Sequence, residues 1–135
     1  MVEITEKPIA VERIVNSTKT DSSGCVVTYV GVIRDNSHDK PVRSVEYKDP
    51  GKTAASGLQQ IVEETRKKWP LNNMSMCHRI GELKPGEINL VVARAAAHRG
   101  EGFAACQYAI DRFKQIMPTR KKETYRDGSV LTKEE

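Results

Sequence analysis

The chain has 135 residues, 38% hydrophobic and 30% charged, with a formal net charge of +4, a profile that describes a folded globular protein and excludes a disordered one. No apolar run approaches the ~20 residues needed to span a bilayer, and the N-terminal MVEITEKPIAVERIV lacks the layout of a secretion signal, so no membrane is expected and the cytoplasm is the expected compartment. Aromatic content of 5% leaves few stacking platforms and no nucleic-acid-binding signature appears, so an anionic small molecule or an acidic protein partner fits the charge at least as well as a nucleic acid, and composition alone does not choose between them.

Pro8 opens a short helix predicted over Ile9–Asn16. Asp21 to Gly24 form a turn, and Cys25–Ile33, apolar on both alternating faces, reads as a strand covered on each side. A polar loop from Arg34 to Pro41 leads to a strand at Val42–Tyr47. A helix over Lys52–Trp69 places Ala54, Leu58, Ile61, Thr65 and Trp69 at helical spacing, with Gly57 inside it at a cost of about 1 kcal/mol relative to alanine. Met74–Ile80 and Glu87–Ala96 are strands around a Pro85-Gly86 turn, and a long helix follows over His98–Met117. After Pro118 an extended tail, Thr119–Tyr125, reaches an Asp127-Gly128 turn. Without a repeat or composition shift, residues 1–135 are expected to form a single α/β or α+β domain in which helices cover a sheet.

The long helix carries the most information. At about 100° per residue, Phe103, Cys106, Ile110, Phe113 and Met117 share one face, and Lys114 falls about 20° from Phe103 at the edge of that stripe. A lysine there either snorkels into solvent or occupies a pocket with a perturbed pKa. His98 and Arg99 stand at the helix start, where free backbone N–H groups favour an anion and where Ala95-Ala96-Ala97 and Gly100 would let a ligand approach. The alternative is a capping histidine beside a solvated arginine. In the extended tail Thr119, Lys121, Glu123 and Tyr125 share a face, so Lys121 can turn back toward Lys114 while Lys122 points away. Two close ammonium groups would lower the pKa of at least one; the alternative is a basic helix end in solvent. Arg34 ends a strand and opens a loop, a position open to either a ligand group or a plain surface arginine.

Cys25, Cys77 and Cys106 are odd in number and widely spaced, which argues against a disulfide framework and against a zinc site. Cys77 and His78 are strand neighbours and point to opposite faces, so they do not form a nucleophile–base pair. None of the three is expected to react.

The ordered segments GVIRDN (Gly31–Asn36), EYKDPG (Glu46–Gly51), CHRIGELKPGE (Cys77–Glu87) and AHRGEGFAACQYAIDRFKQIMPTRKKE (Ala97–Glu123) together resemble the large, catalytic subunit family of molybdopterin synthase over roughly residues 24–130. The resemblance implies an α/β hammerhead-like α+β fold: a mixed sheet covered by helices with an additional antiparallel subsheet. It implies a sulfur transferase that converts cyclic pyranopterin monophosphate to molybdopterin. A small ubiquitin-like subunit would deliver the sulfur on a C-terminal Gly-Gly thiocarboxylate, and two subunits of each kind would assemble around a central homodimer. By the same resemblance Lys114 and Lys121 are the catalytic residues and Arg34, His98 and Arg99 bind substrate, the His98-Arg99 pair reaching the site from the neighbouring protomer. No metal or organic cofactor is implied.

Three positions depart from the family's pattern. Arg120 stands where tryptophan is usual, and Asp49 and Lys52 replace commonly aromatic and methionine positions; the sequence also stops short of the family's usual C-terminal segment. These departures keep open a non-catalytic dimeric binding module for a ubiquitin-like partner. A small basic RNA-binding protein is a third reading, disfavoured by the shortage of aromatic residues.

Overall fold

A computed structural model describes residues 1–70 and 73–135. In chain order its elements are β1 (Val2–Thr5), α1 (Val11–Thr18), β2 (Cys25–Val32), β3 (Asn36–Ser37), β4 (Lys40–Lys48), α2 (Ala54–Lys68), β5 (Met74–Arg79), β6 (Gly81–Leu83), β7 (Ile88–Ala96), α3 (Arg99–Ile116), β8 (Arg120–Tyr125) and β9 (Val130–Glu134). No helix among the described residues is long and apolar enough to cross a membrane.

The first sheet has four strands in the order β1-β5-β7-β2, with β1 parallel to β5 and the other pairs antiparallel. Alternation along β5 and β7 sends Met74, Met76, Leu90 and Val92 into the core under α2 and α3. It sends Cys77, Val91 and Ala93 to the other face, against Ile9 and Ile14. Both faces of these central strands are therefore covered, which is why they read as unbroken apolar runs. The strand expected at Cys25–Ile33 had the same character, but β2 lies at the edge of the sheet and is only half buried; Val30 and Val32 are 39% and 53% exposed.

The buried face of α3 also differs from the expected stripe. It consists of Gly102, Ala105, Cys106, Ala109 and Phe113, while Phe103 is 60% exposed. Small residues bring the helix axis close to the sheet: a Cβ on Gly102 would lie 2.9 Å from Val27 Cγ2 and 3.3 Å from Ala96 Cβ. Ala95 and Ala96 are fully buried, so they serve this packing rather than ligand approach. Gly57 has a similar task in α2, since a Cβ there would come within 3.1 Å of Met117 Sδ and 3.4 Å of Pro118 Cδ. Its helix-propensity cost is exchanged for close contact with the segment leaving α3.

Pro118 follows the end of α3, and the chain leaves Met117 in an extended conformation (φ −64°, ψ 128°). It then forms the second sheet, antiparallel and five-stranded, in the order β3-β4-β8-β9 with β6 also paired to β4. Ile33, Val42, Val45, Tyr47, Leu83 and Tyr125 make its core. At the Asp127-Gly128 turn, Asp127 Oδ1 accepts the Ser129 amide at 2.8 Å and Gly128 adopts φ +90°, which returns the chain as β9. The architecture is the expected α+β one, a mixed sheet covered by helices with an additional antiparallel subsheet.

Two local features sharpen the sequence reading. The first helix begins two residues later than expected, with Ile9 buried ahead of it. Asp49, one of the departures, accepts the Thr53 and Ala54 amides at 3.1 and 3.2 Å and so satisfies the start of α2, where Thr53 itself makes no side-chain cap.

Candidate functional site

The last turn of α3, the loop after β2 and the inward face of β8 converge on a cavity of about 320 Å³. Arg34, Tyr47, Asn89, Lys114, Lys121 and Glu123 are among its lining residues. A second cavity, of about 180 Å³, is lined by Tyr47, Lys114, Lys121, Lys133, Glu134 and Glu135. Tyr47 and the two lysines line both, so the amines stand at the boundary between two compartments.

Local structure explains this convergence. Lys114 occupies the last turn of α3, where a cation is favoured. The turn at Pro118 brings β8 alongside β4, with Lys121 opposite Tyr47. Alternation then turns Thr119, Lys121, Glu123 and Tyr125 inward; Thr119, Glu123 and Tyr125 are buried, Lys121 is half-buried, and Arg120 and Lys122 are exposed. Burial lowers the Lys121 pKa from its ordinary value; Glu123 opposes the shift, and Lys133 and Lys114 add to it. Desolvation thus outweighs the lysine–lysine repulsion expected from the spacing. Lys114 is exposed, with its Nζ 6.0 Å from the centroid of the Phe113 ring.

The polar wall behind the amines is built with care. Asn89 Nδ2 donates to the Tyr47 hydroxyl at 3.1 Å, and burial, aided by Glu135, pushes the Tyr47 pKa up. A Cβ on Gly31 would sit 2.9 Å from Asn89 Oδ1, so glycine is what lets β2 pass this wall. Glu123 is 3% exposed, and its Oε1 has no hydrogen-bond partner among the described residues. The shared face in the β8 alternation was a signal for Glu123. Tyr47 and Asn89 left no comparable signal, because their role depends on two sheets meeting.

Arg34, Lys114 and Lys121 therefore come together in one chain. His98 and Arg99 do not: both are exposed at the start of α3, about 22 Å along the helix from Lys114 at 1.5 Å per residue. His98 occupies the N-cap position without a side-chain capping bond, so the capping alternative is not realised. Arg120, Asp49 and Lys52 line neither cavity.

The cysteines have the environment of inert thiols. Burial pushes Cys77 up to about 12 and Cys106 up to about 11, and Cys25 is half-buried with its Sγ 3.7 Å from the Ala96 carbonyl oxygen. No group of three or more His, Cys, Asp or Glu side chains is arranged to hold a metal ion among the described residues.

Known proteins share this architecture and sequence. A family profile described as "MoaE protein" matches residues 4–116. The molybdopterin synthase catalytic subunit of Nostoc sp. is 40% identical over 127 residues, covering 93% of this chain and 77% of that protein. Its Bacillus subtilis counterpart is 36% identical over 126 residues, covering 93% and 80%. Among solved structures, molybdopterin synthase from Staphylococcus aureus superposes with a TM-score of 0.91 at 32% identity, covering 98% of this chain and 96% of that one. A complex of subunits 1 and 2 of molybdopterin-converting factor from Helicobacter pylori has a TM-score of 0.74 over 96% of this chain and 88% of that one; at 12% identity it shares the fold alone. The profile ends before β8, but the S. aureus likeness runs across nearly the whole chain, lysine strand included. By sequence and by fold, the chain belongs to the MoaE family, the catalytic subunits of molybdopterin synthase.

Proposed function

We propose that this chain transfers sulfur from the C-terminal Gly-Gly thiocarboxylate of a small ubiquitin-like subunit to cyclic pyranopterin monophosphate, forming molybdopterin in the cytoplasm. The observation that carries the reading is the pair of cavities meeting at Lys114 and Lys121. The larger, with Arg34 on its rim, suits a compact phosphate-bearing substrate, because a guanidinium fork engages two phosphate oxygens at once. The smaller suits the narrow, side-chain-free tail of the partner. Lys121, with its lowered pKa, stabilises negative charge as the carbonyl reacts or positions the tail carboxyl group. Lys114 serves as acid–base group or transient acyl acceptor.

His98 and Arg99 fit this scheme when a second copy supplies them, since their own chain holds them at the far end of α3. The exposed Val30, Val32 and Phe103 and the edge position of β2 support a homodimer, to which two small subunits add. The H. pylori relative in fold is itself a complex of two kinds of subunit. The binding-module alternative drew on Arg120, Asp49 and Lys52, none of which lines either cavity.

The test mixes the protein with thiocarboxylated small subunit and pterin precursor and looks for the dithiolene product. Lys114→Ala is expected to reduce product formation by about 100-fold or more while binding of the small subunit survives. Wild-type turnover in the purified variant would remove Lys114 from the chemistry. Light scattering is expected to show a dimer alone and a two-plus-two assembly with the partner; a fully active monomer would defeat the shared site.

A further inference from the structure

His78 lies at the joint between the two sheets. It is fully buried on β5, and its ring meets Tyr47 and Phe113 edge-on, each at 5.1 Å between centroids. Phe113 immediately precedes Lys114, and Tyr47 is the register partner of Lys121. His78 Nδ1 is 2.7 Å from the Asn89 carbonyl oxygen, and Nε2 is 3.1 Å from Oε2 of Glu135. The Thr119 hydroxyl donates to that same carboxylate oxygen, and the Glu135 amide donates to the Thr119 carbonyl at 3.0 Å. One imidazole thus touches β7, the neighbour of Lys114, the cross-strand partner of Lys121 and the residue that follows β9.

The hydrogen bonds also constrain a proton. A carbonyl only accepts, so Nδ1 carries hydrogen. Nε2 faces the Glu135 carboxyl group, and the two share one hydrogen bond. The Glu135 carboxyl, held by His78 and Thr119, is one of the groups that raise the Lys121 pKa. The other charged or titratable groups that line the two cavities with Lys121 are Tyr29 on β2, Arg34 after it, Glu123 on β8, Lys133 and Glu134 on β9, Lys114 on α3 and Tyr47 on β4.

We infer that His78 is a positioning residue for the lysine pair, holding the last turn of α3 and the β4–β8 ladder in one arrangement and fixing Glu135 beside Lys121. It touches neither amine. The inference rests on the sulfur-transfer reading for its kinetic consequence but not for its electrostatic one.

Its test reads both. His78→Asn keeps a donor for the Asn89 carbonyl and loses the donor to Glu135; His78→Phe keeps the ring edges and serves if the first variant does not fold. Glu135 raises the Lys121 pKa from the position in which His78 holds it, so a released Glu135 should let Lys121 lose its proton at lower pH. Acetylation of Lys121 by acetic anhydride, followed by peptide mass spectrometry across pH, is expected to shift downward by about half a unit, roughly threefold faster labelling at fixed pH. With thiocarboxylated partner, kcat is expected to fall about tenfold at unchanged KM for that partner, and His78→Gln, which returns a donor toward Glu135, should recover part of both effects. A folded variant whose Lys121 labelling profile coincides with wild type would overturn the inference. An inactive wild-type protein would instead defeat the functional reading, and the labelling comparison would stand without it.

Discussion

The two ends of the buried layer under α3 are built on opposite principles. Against the middle of the mixed sheet, Leu58, Ile61, Met76, Leu90 and Val92 are all buried and all apolar. Where the same helix ends against the subsheet, buried Asn89 and Glu123 line a cavity with Lys114 and Lys121, and buried His78 and Thr119 meet Glu135 behind them. The first region gains stability by removing apolar surface from water. The second gives stability up, because each desolvated polar group must be paired or costs free energy. On the proposed function, stability and chemistry are therefore separable along a single helix.

The sharpest test of that separation compares one residue from each region. Leu58→Ala empties space at a fully buried position and should lower stability by about 2–5 kcal/mol. Below its melting temperature the folded variant should keep wild-type kcat, since Leu58 lines neither cavity. Lys121→Ala should do the reverse: about 100-fold or more off kcat with little change in melting temperature, because burying its ammonium is unfavourable in the wild type. Thermal melts and single-turnover assays on both proteins check this. If Lys121→Ala melted as early as Leu58→Ala, the lysine would be structural and the contrast would fail.

A smaller effect probes a polar cluster that serves stability rather than chemistry. Glu64 on α2 accepts Arg112 Nε at 2.7 Å and the Tyr108 hydroxyl at 2.9 Å, joining α2 to α3 away from the cavities. These partners, Arg112 foremost, hold the Glu64 carboxyl down at about 2. A carboxylate whose folded pKa is depressed stabilises the fold fully above its unfolded value and loses that contribution as pH falls toward the folded one. Glu64→Gln should thus melt about 2–4 °C lower at pH 7, a modest loss for a partly exposed pair. The gap should close as pH falls from about 4.5 toward about 2. A gap that stayed constant across that window would mean packing, not charge, joins the helices.

Legibility in the sequence follows the same division. Local signals located α2, α3, β4, β5, β7 and β8 closely, because helical period, strand alternation, Pro118 and the Asp127-Gly128 turn are properties of neighbouring residues. The very short β3 and β6 and the terminal β1 and β9 have no period of their own and exist through the strand each pairs with. The misreading of β2 as a fully covered strand has one physical source: an apolar sequence announces burial without saying by what. For the site, Lys114, Lys121 and Arg34 were legible through the resemblance and the β8 alternation. Tyr47, Asn89 and His78 were not, since their place depends on contact between two sheets.

The smallest expected effect belongs to Arg120, although it is the most visible departure from the family's sequence pattern. Its side chain is 60% exposed, and its Nε lies 3.4 Å from Glu134 Oε1 across the β8–β9 pair. Alternation puts it on the face opposite Lys121, and it lines neither cavity. A tryptophan there would cover solvent-facing strand surface rather than a docked tail. Exposed ion pairs contribute little and are screened within a Debye length of ~10 Å at 0.1 M salt. Arg120→Trp should accordingly change affinity for the small subunit by less than about twofold, with salt slopes matching wild type between about 50 and 500 mM. Calorimetric titration of both proteins across that range measures the slopes. A flatter slope in the variant would show that the small subunit reaches across the outer face of β8, extending the functional surface beyond the two cavities.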